Sequence, residues 1–361
     1  MIVNQASDVL EFVKKSASQK FITENCLYLT RAGSKSYNTH ISTSDDDIKG
    51  VTLAPKKYHY GFMNNFDQYE HKDPDIVIMG LQKYVSLMAN NNPNIVETLF
   101  VSPEDVLFVH PAFQRLIDNR DKILTKQCYH SFSGYARGQL RRCRLHKGFN
   151  DQNPVKPNPE DYGIVINNKY KSLYQTVNAE IQKEIDKSMF NGFTNQIAMT
   201  HKFYEVATTW KLSKDKIWEN HLERFTGGTE EVYQKLIAYK KYFTDLEDYN
   251  KFVGWQKNRN VVRAKNEKEL GYDSKFAYHV IRLTKMCQEI LSEGKVIVKR
   301  IDDRDLFIDI RNGKYSYEEF LAMAQKLLDE NETAYKNSKL PDEVDREFFD
   351  DLVISICDEL L

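Results

Sequence analysis

The apolar residues of the first eighty positions come in short, partly alternating runs, and from residue 81 onward they recur at spacings of three and four. Strand side chains alternate with a period of two and helical ones with a period of about 3.6, so this change of period divides the chain. It predicts an α+β fold: a small mixed β-sheet flanked by helices, followed by a mainly α-helical region. Val9, Leu10, Phe12 and Val13 mark an opening helix. Strands are expected over 26–30, 48–53, 58–62 and 75–79, and a helix over 80–89 with Leu81, Tyr84, Val85 and Met88 on one face. Asn90-Asn91-Asn92-Pro93 ends that helix, and another starts near Asn94. Helical spacing dominates from His110, broken by a surface loop over 150–163 that holds Pro154, Pro157 and Pro159. Helices over 274–292, 317–328 and 345–360 close the chain, with a short strand expected at 296–298.

Composition narrows the function classes. Lys and Arg total 51 against 52 Asp and Glu, a net charge of −1, which excludes a uniformly basic nucleic-acid coat and leaves room for a local basic patch. The longest apolar runs are short, as at Ile76-Val77-Ile78-Met79, so no membrane span is expected. Met1-Ile2-Val3-Asn4-Gln5 has neither the basic start nor the apolar stretch of a signal peptide. The five cysteines are scattered without metal-ligand or redox spacing. A reducing, cytoplasmic setting is the expectation.

The stretch that carries chemistry runs from Arg31 to Val51. Its skeleton is a strand, then Gly33-Ser34, ten residues, and Asp45-Asp46-Asp47 opening another strand. A glycine lets backbone approach a phosphate closely, and the serine adds a hydroxyl and an amide at the start of a helical turn. Asp45 and Asp47, two apart on extended backbone, share one face, while Asp46 turns away. Paired carboxylates suit hard divalent cations, Mg2+ or Mn2+, and such cations assist attack on a nucleotide phosphate. Asp75 is the first choice for a third carboxylate, with Glu70 and Asp67 as alternatives. An acidic run in isolation is ordinarily a solvated loop. The Gly-Ser upstream and Ile48-Lys49-Gly50-Val51 downstream set this one apart.

This arrangement resembles the DNA polymerase β-type nucleotidyltransferase superfamily, and within it the predicted nucleotidyltransferases of RNA repair pathways found in bacteria and phages. The likeness extends to Asn92-Pro93-Asn94-Ile95-Val96-Glu97, to Tyr129–Ala136 with Gln139, to Lys275–Leu283, and to Ser338-Lys339-Leu340-Pro341. It covers roughly 25–148 and 270–345. Asn38 stands where the group carries a second glycine, and Asn tolerates left-handed backbone better than most residues. The resemblance implies Gly33 and Ser34 for triphosphate binding, and Asp45, Asp47 and Asp75 as catalytic, metal-holding carboxylates. It also implies Lys275, His279 and Arg282, which share a helix face, for the nucleotide.

The expected reaction moves an NMP from an NTP to an acceptor hydroxyl with release of pyrophosphate, and the acceptor class it implies is an RNA end such as tRNA. The alternatives are a protein or small-molecule acceptor, which the near-neutral charge favours, and a non-catalytic NTP-binding module. The expected organisation is a catalytic core over 1–110 and a helical region over 111–361 closing the nucleotide cleft, with an unassigned insert at about 150–265. Arg137, Arg141, Arg142, Arg144, His146 and Lys147 form a basic concentration, of which Arg137, Arg141 and Arg144 share a face suited to a phosphate backbone, to the triphosphate tail or to solvent. Tyr135 and Gln139, four apart, are read either near the nucleotide or, for Tyr135, as a core aromatic. Trp210, Trp218 and Trp255 are read as packing residues first and as base-stacking residues second.

Overall fold

The computed structural model describes residues 5–41, 44–152, 154–166, 171–172, 174–176, 179, 230–259 and 261–361. The strands are β1 (Cys26–Ala32), β2 (Asp47–Thr52), β3 (Gln68–Lys72), β4 (Asp75–Gly80) and β5 (Val106–Val109). They form one sheet in the order β3-β4-β2-β1-β5. β2 runs parallel to β4 and antiparallel to β1, and β3 and β5 close the edges antiparallel to their neighbours. The sheet is therefore mixed; helices precede and interrupt it in sequence, β5 comes after the Leu81–Ala89 and Pro93–Leu99 helices, and the described elements after β5 are helical.

Each face of the sheet has its own core. Leu29, Ile48, Ile76 and Ile78 pack with Val9 and Val13 of the Ala6–Ser16 helix and with Phe21 and Ile22. Val51 and Leu53 belong to the opposite core, with Leu81, Tyr84 and Met88 of the Leu81–Ala89 helix and Ile95 and Val96 of the Pro93–Leu99 helix. That second core continues into the C-terminal helices through Tyr278, Ile281 and Met286. Because strand side chains alternate, Ile48 on the first face puts Asp47 and Lys49 on the second. The sheet register thus delivers the acidic sequence to the face that the C-terminal helices cover.

The central C-terminal helix, Ser274–Glu293, is amphipathic with eleven buried residues. Asp273 caps its start, accepting from the Lys275 and Phe276 amides, and Gly294 ends it at φ +65°. Arg304–Arg311 and Tyr317–Asn337 pack beside it, the latter opened by a Ser316/Glu319 capping box. Residues 1–147 and 265–361 form one compact unit, and 148–264 another. In the second unit, Ile164, Tyr239 and Tyr242 form a small core, and Trp255 packs on Phe149 and Phe252 under the Arg259 guanidinium. Trp210 and Trp218 lie outside the described residues.

Several elements differ from the sequence reading, among them β5, a strand at Val106–Val109 where none was expected. Residues 58–62 are not a strand: Lys56–Tyr60 is a helical turn and the chain then runs irregularly. Its alternating aromatics do not share a buried face, since Tyr58 packs on Phe21 while Tyr60 and Phe62 are exposed. The strand in this region is β3, whose polar sequence suits an edge strand and carries no apolar alternation. Residues 296–298 have no ladder partner and form no strand. The helix expected to end before residue 150 runs on as Gln127–Gln152, and only Pro154 and beyond break it. All five cysteines are unpaired, and no helix among the described residues is long and apolar enough to cross a membrane.

Candidate active site

β1 ends at Ala32, and the chain turns at Gly33 with φ +67°, a left-handed conformation that favours glycine. Steric room demands glycine as well: a Cβ at residue 33 would lie 1.8 Å from Asp47 Oδ2. Gly33–Ser36 is one helical turn, too short to act through a macrodipole, so Ser34 offers only its hydroxyl and local amides. Asn38 sits at φ +59°, in the left-handed region anticipated for it.

Asp47 opens β2 opposite Ala32 on one side and Asp75 of parallel β4 on the other. Burial and the adjacent Asp75 carboxylate push the Asp47 carboxyl up from 3.8 to about 6, against the pull of Lys275 and Lys49. The register thus sets Asp75 beside Asp47. Glu70 pairs with Val77 further along β4, and Asp67 precedes β3 at the other end of the sheet, near Lys83. Asp46 turns away, as expected, into an ion pair with Lys35 at 2.5 Å.

A cavity of about 560 Å³ lies over this end of the sheet. Gly33, Ser34, Asp45, Asp47, Lys275, His279 and Arg282 all line it, so the sequence-predicted residues converge apart from Asp75, which is exposed beside Asp47. Tyr135 and Gln139 also line it, and Tyr135 is half-exposed rather than a core residue. The face that carries them down the Gln127–Gln152 helix includes Gly138 and Arg142, so the cation it presents to the cavity is Arg142 rather than Arg137, Arg141 or Arg144. Among the described residues, none of Lys49, Arg142 and Lys275 forms an ion pair within 4.0 Å. Positive side chains thus line the cavity beside its carboxylates.

Arg282 has a different environment from Lys275 and His279. It is 3% exposed, donates to the Glu97 carboxylate, and stacks over the Tyr37 ring at 4.2 Å. Tyr37 also donates to Glu97. Burial opposes the charge on Arg282, and Glu97 with Tyr37 and Tyr278 more than offsets it, so the guanidinium stays protonated. The pair forms the floor of the cavity. Glu97 was legible only as part of a resemblance, because its partner lies 185 residues away.

Residues 3–159 match the family model of the RNA repair pathway DNA polymerase beta family, RlaP. This is the group that the sequence motifs resemble. The RlaP match takes in the sheet, Gly33, Ser34 and all three carboxylates, and stops short of Lys275, His279 and Arg282. No curated protein and no solved structure matches the chain.

The residues present suit a divalent cation. Two adjacent carboxylates, one raised toward protonation by burial and then by the other, are the arrangement a bound cation relieves. Among the described residues, the trio whose ligand atoms all lie within 4.8 Å of one another is His146, Glu267 and Asp273.

Proposed function

We propose that the protein is a metal-dependent nucleotidyltransferase that transfers an NMP from an NTP to an acceptor hydroxyl, releasing pyrophosphate. The observation that carries this reading is the contact between Gly33 and Asp47, with Asp75 in register, at the wall of a cavity edged by unpaired cations. The RlaP match, with its polymerase β-like nucleotidyltransferase character, supports it.

Gly33 and Ser34 would receive the phosphate tail through their amides and the Ser34 hydroxyl, the bare Gly33 Cα leaving room for the Asp47 carboxylate beside it. Lys49, Arg142 and Lys275 would neutralise phosphate oxygens and orient the α-phosphorus toward the acceptor. Asp45, Asp47 and Asp75 would hold the cation, Mg2+ or Mn2+, which when bound polarises the phosphate and eases departure of pyrophosphate. Tyr135, with its hydroxyl bonded to Asn92 Nδ2 at 2.9 Å, offers a half-exposed ring at the cavity mouth for the nucleoside. The acceptor oxygen bonds to the α-phosphorus as the bond to pyrophosphate breaks.

The acceptor in this reading is an RNA end, such as that of a tRNA, and the family's description as belonging to an RNA repair pathway favours RNA. Total RNA and total protein, each incubated with the enzyme and α-labelled NTP, test this. Label in an RNA band, declining steeply with added salt and absent with Asp45→Ala/Asp47→Ala, is the expected result. Label in protein alone would move the acceptor to a different class.

A further inference from the structure

The stretch between Gly33-Ser34 and Asp45-Asp47 is held by residues some 270 positions later. Arg300 N donates to Tyr37 O at 3.0 Å, Asn38 Nδ2 to Arg300 O at 3.1 Å, and Arg304 Nε to Asn38 O at 2.8 Å. Thr39 Oγ1 bonds the Tyr278 hydroxyl at 2.7 Å. Arg311, the last residue of its helix, makes the contacts nearest the carboxylates. Its Nη1 donates to Thr39 O at 2.6 Å and its Nη2 to Ser44 Oγ at 3.4 Å. Ser44 Oγ in turn accepts from the Ile41 amide at 2.9 Å, so one guanidinium links Thr39 to Ser44.

Arg311 lines the same cavity as Asp45 and Asp47, and among the described residues no carboxylate lies within 4.0 Å of it. Its own carbonyl accepts from Ser274 Oγ at 2.9 Å, at the start of the helix that carries Lys275. A guanidinium suits this task because its planar fork reaches two acceptors at fixed spacing, which an ammonium cannot. Arg311 lies outside the stretch matched by the RlaP model.

We propose that Arg311 is a positioning residue for the carboxylate pair: bound to Thr39 and Ser44, it fixes the chain immediately before Asp45 and so aims Asp45 into the cavity with Asp47. This rests on the reading of Asp45 and Asp47 as cation ligands. Outer partners that orient metal ligands typically contribute about 10–100-fold in affinity, which sets the expected effect.

The test is Mn2+ affinity, read by electron paramagnetic resonance on the full chain without substrate, beside thermal melting. Arg311→Ala is expected to weaken Mn2+ binding by about tenfold or more, with Arg311→Lys recovering part of it. Ser44→Ala, which removes one acceptor and leaves the arginine in place, is expected to weaken Mn2+ binding without loss of the folded state. Unchanged Mn2+ affinity in both alanine variants, alongside loss in Asp47→Asn, would overturn the proposal and leave the metal-site reading standing. So would a raised KM for NTP with unchanged Mn2+ affinity, since Arg311 would then be a substrate contact. Wild-type protein binding Mn2+ no better than Asp45→Ala/Asp47→Ala would remove both the reading and the proposal.

Discussion

Asp47 and Asp75 face each other in register on the parallel strands β2 and β4, and the Asp47 carboxyl is raised to about 6 as a result of burial and that neighbour. The folded-state value stands above the ordinary 3.8, so the protonated form is the one folding favours. That stabilisation is complete below about 3.8 and is lost as pH rises through about 6.

Asp47→Asn should therefore melt higher than wild type at pH 7.5 without metal, by the equivalent of about 1–2 kcal/mol after allowance for solvent screening. The two proteins should converge below pH 4. Mg2+ should raise the wild-type midpoint and leave the variant's unchanged. Mn2+ affinity should fall as pH drops below about 6, because a proton then competes for Asp47. Melting curves across pH, with and without metal, check all of these.

Gly33→Ala should damage the site more than the fold. Left-handed backbone at a non-glycine residue costs about 1–2 kcal/mol, and the added methyl would also displace the Asp47 carboxylate it meets. Transfer activity is expected to fall by well over tenfold, out of proportion to a modest drop in melting temperature. Steady-state kinetics beside calorimetry measure the two separately.

Glu97→Ala leaves Arg282 charged and uncompensated in the core. Breaking a buried pair in this way costs about 3–5 kcal/mol, a large share of a typical domain's stability. Urea unfolding should show the loss. Lys122→Ala, whose ammonium lies 3.6 Å above the Phe348 ring at the surface, should cost under about 1 kcal/mol by the same measurement.

Lys49→Ala and Lys275→Ala should each raise the KM for NTP by roughly ten- to a hundredfold, the weight of a charge-assisted hydrogen bond to phosphate. Arg141→Ala, whose side chain is exposed and lies outside the cavity, should leave the NTP KM unchanged. Kinetics against NTP at saturating metal separate these cases.

Much of the site was legible because its signals are local. Gly33-Ser34, Asp45 and Asp47 lie within fifteen residues, and the period of a strand is enough to place the two carboxylates on one side. Asp75 was legible as an acidic residue opening an apolar strand, but only the β2–β4 register puts it beside Asp47 rather than elsewhere on the edge. The helix face of Lys275, His279 and Arg282 was readable from spacing. Its division into cavity cation and buried partner was not, because that depends on Glu97 across the core. Arg142 was read within the basic run but off the face singled out, and Arg311 was missed, because which helix residues meet a cavity is decided by tertiary packing. β3 escaped because an edge strand needs no apolar alternation, and Tyr58–Phe62 misled because alternation without a surface to cover carries no structural force.

The central claim is the reaction class, and the most direct test follows the two ends of the nucleotide. NTP labelled at the α-phosphate and NTP labelled at the γ-phosphate are each incubated with enzyme, Mg2+ and cellular RNA, beside Asp45→Ala/Asp47→Ala. The account predicts that α-label enters the acceptor while γ-label is recovered only in pyrophosphate, with both signals lost in the variant. Transfer of γ-label to the acceptor, or α-label incorporation that survives in the variant, would contradict it.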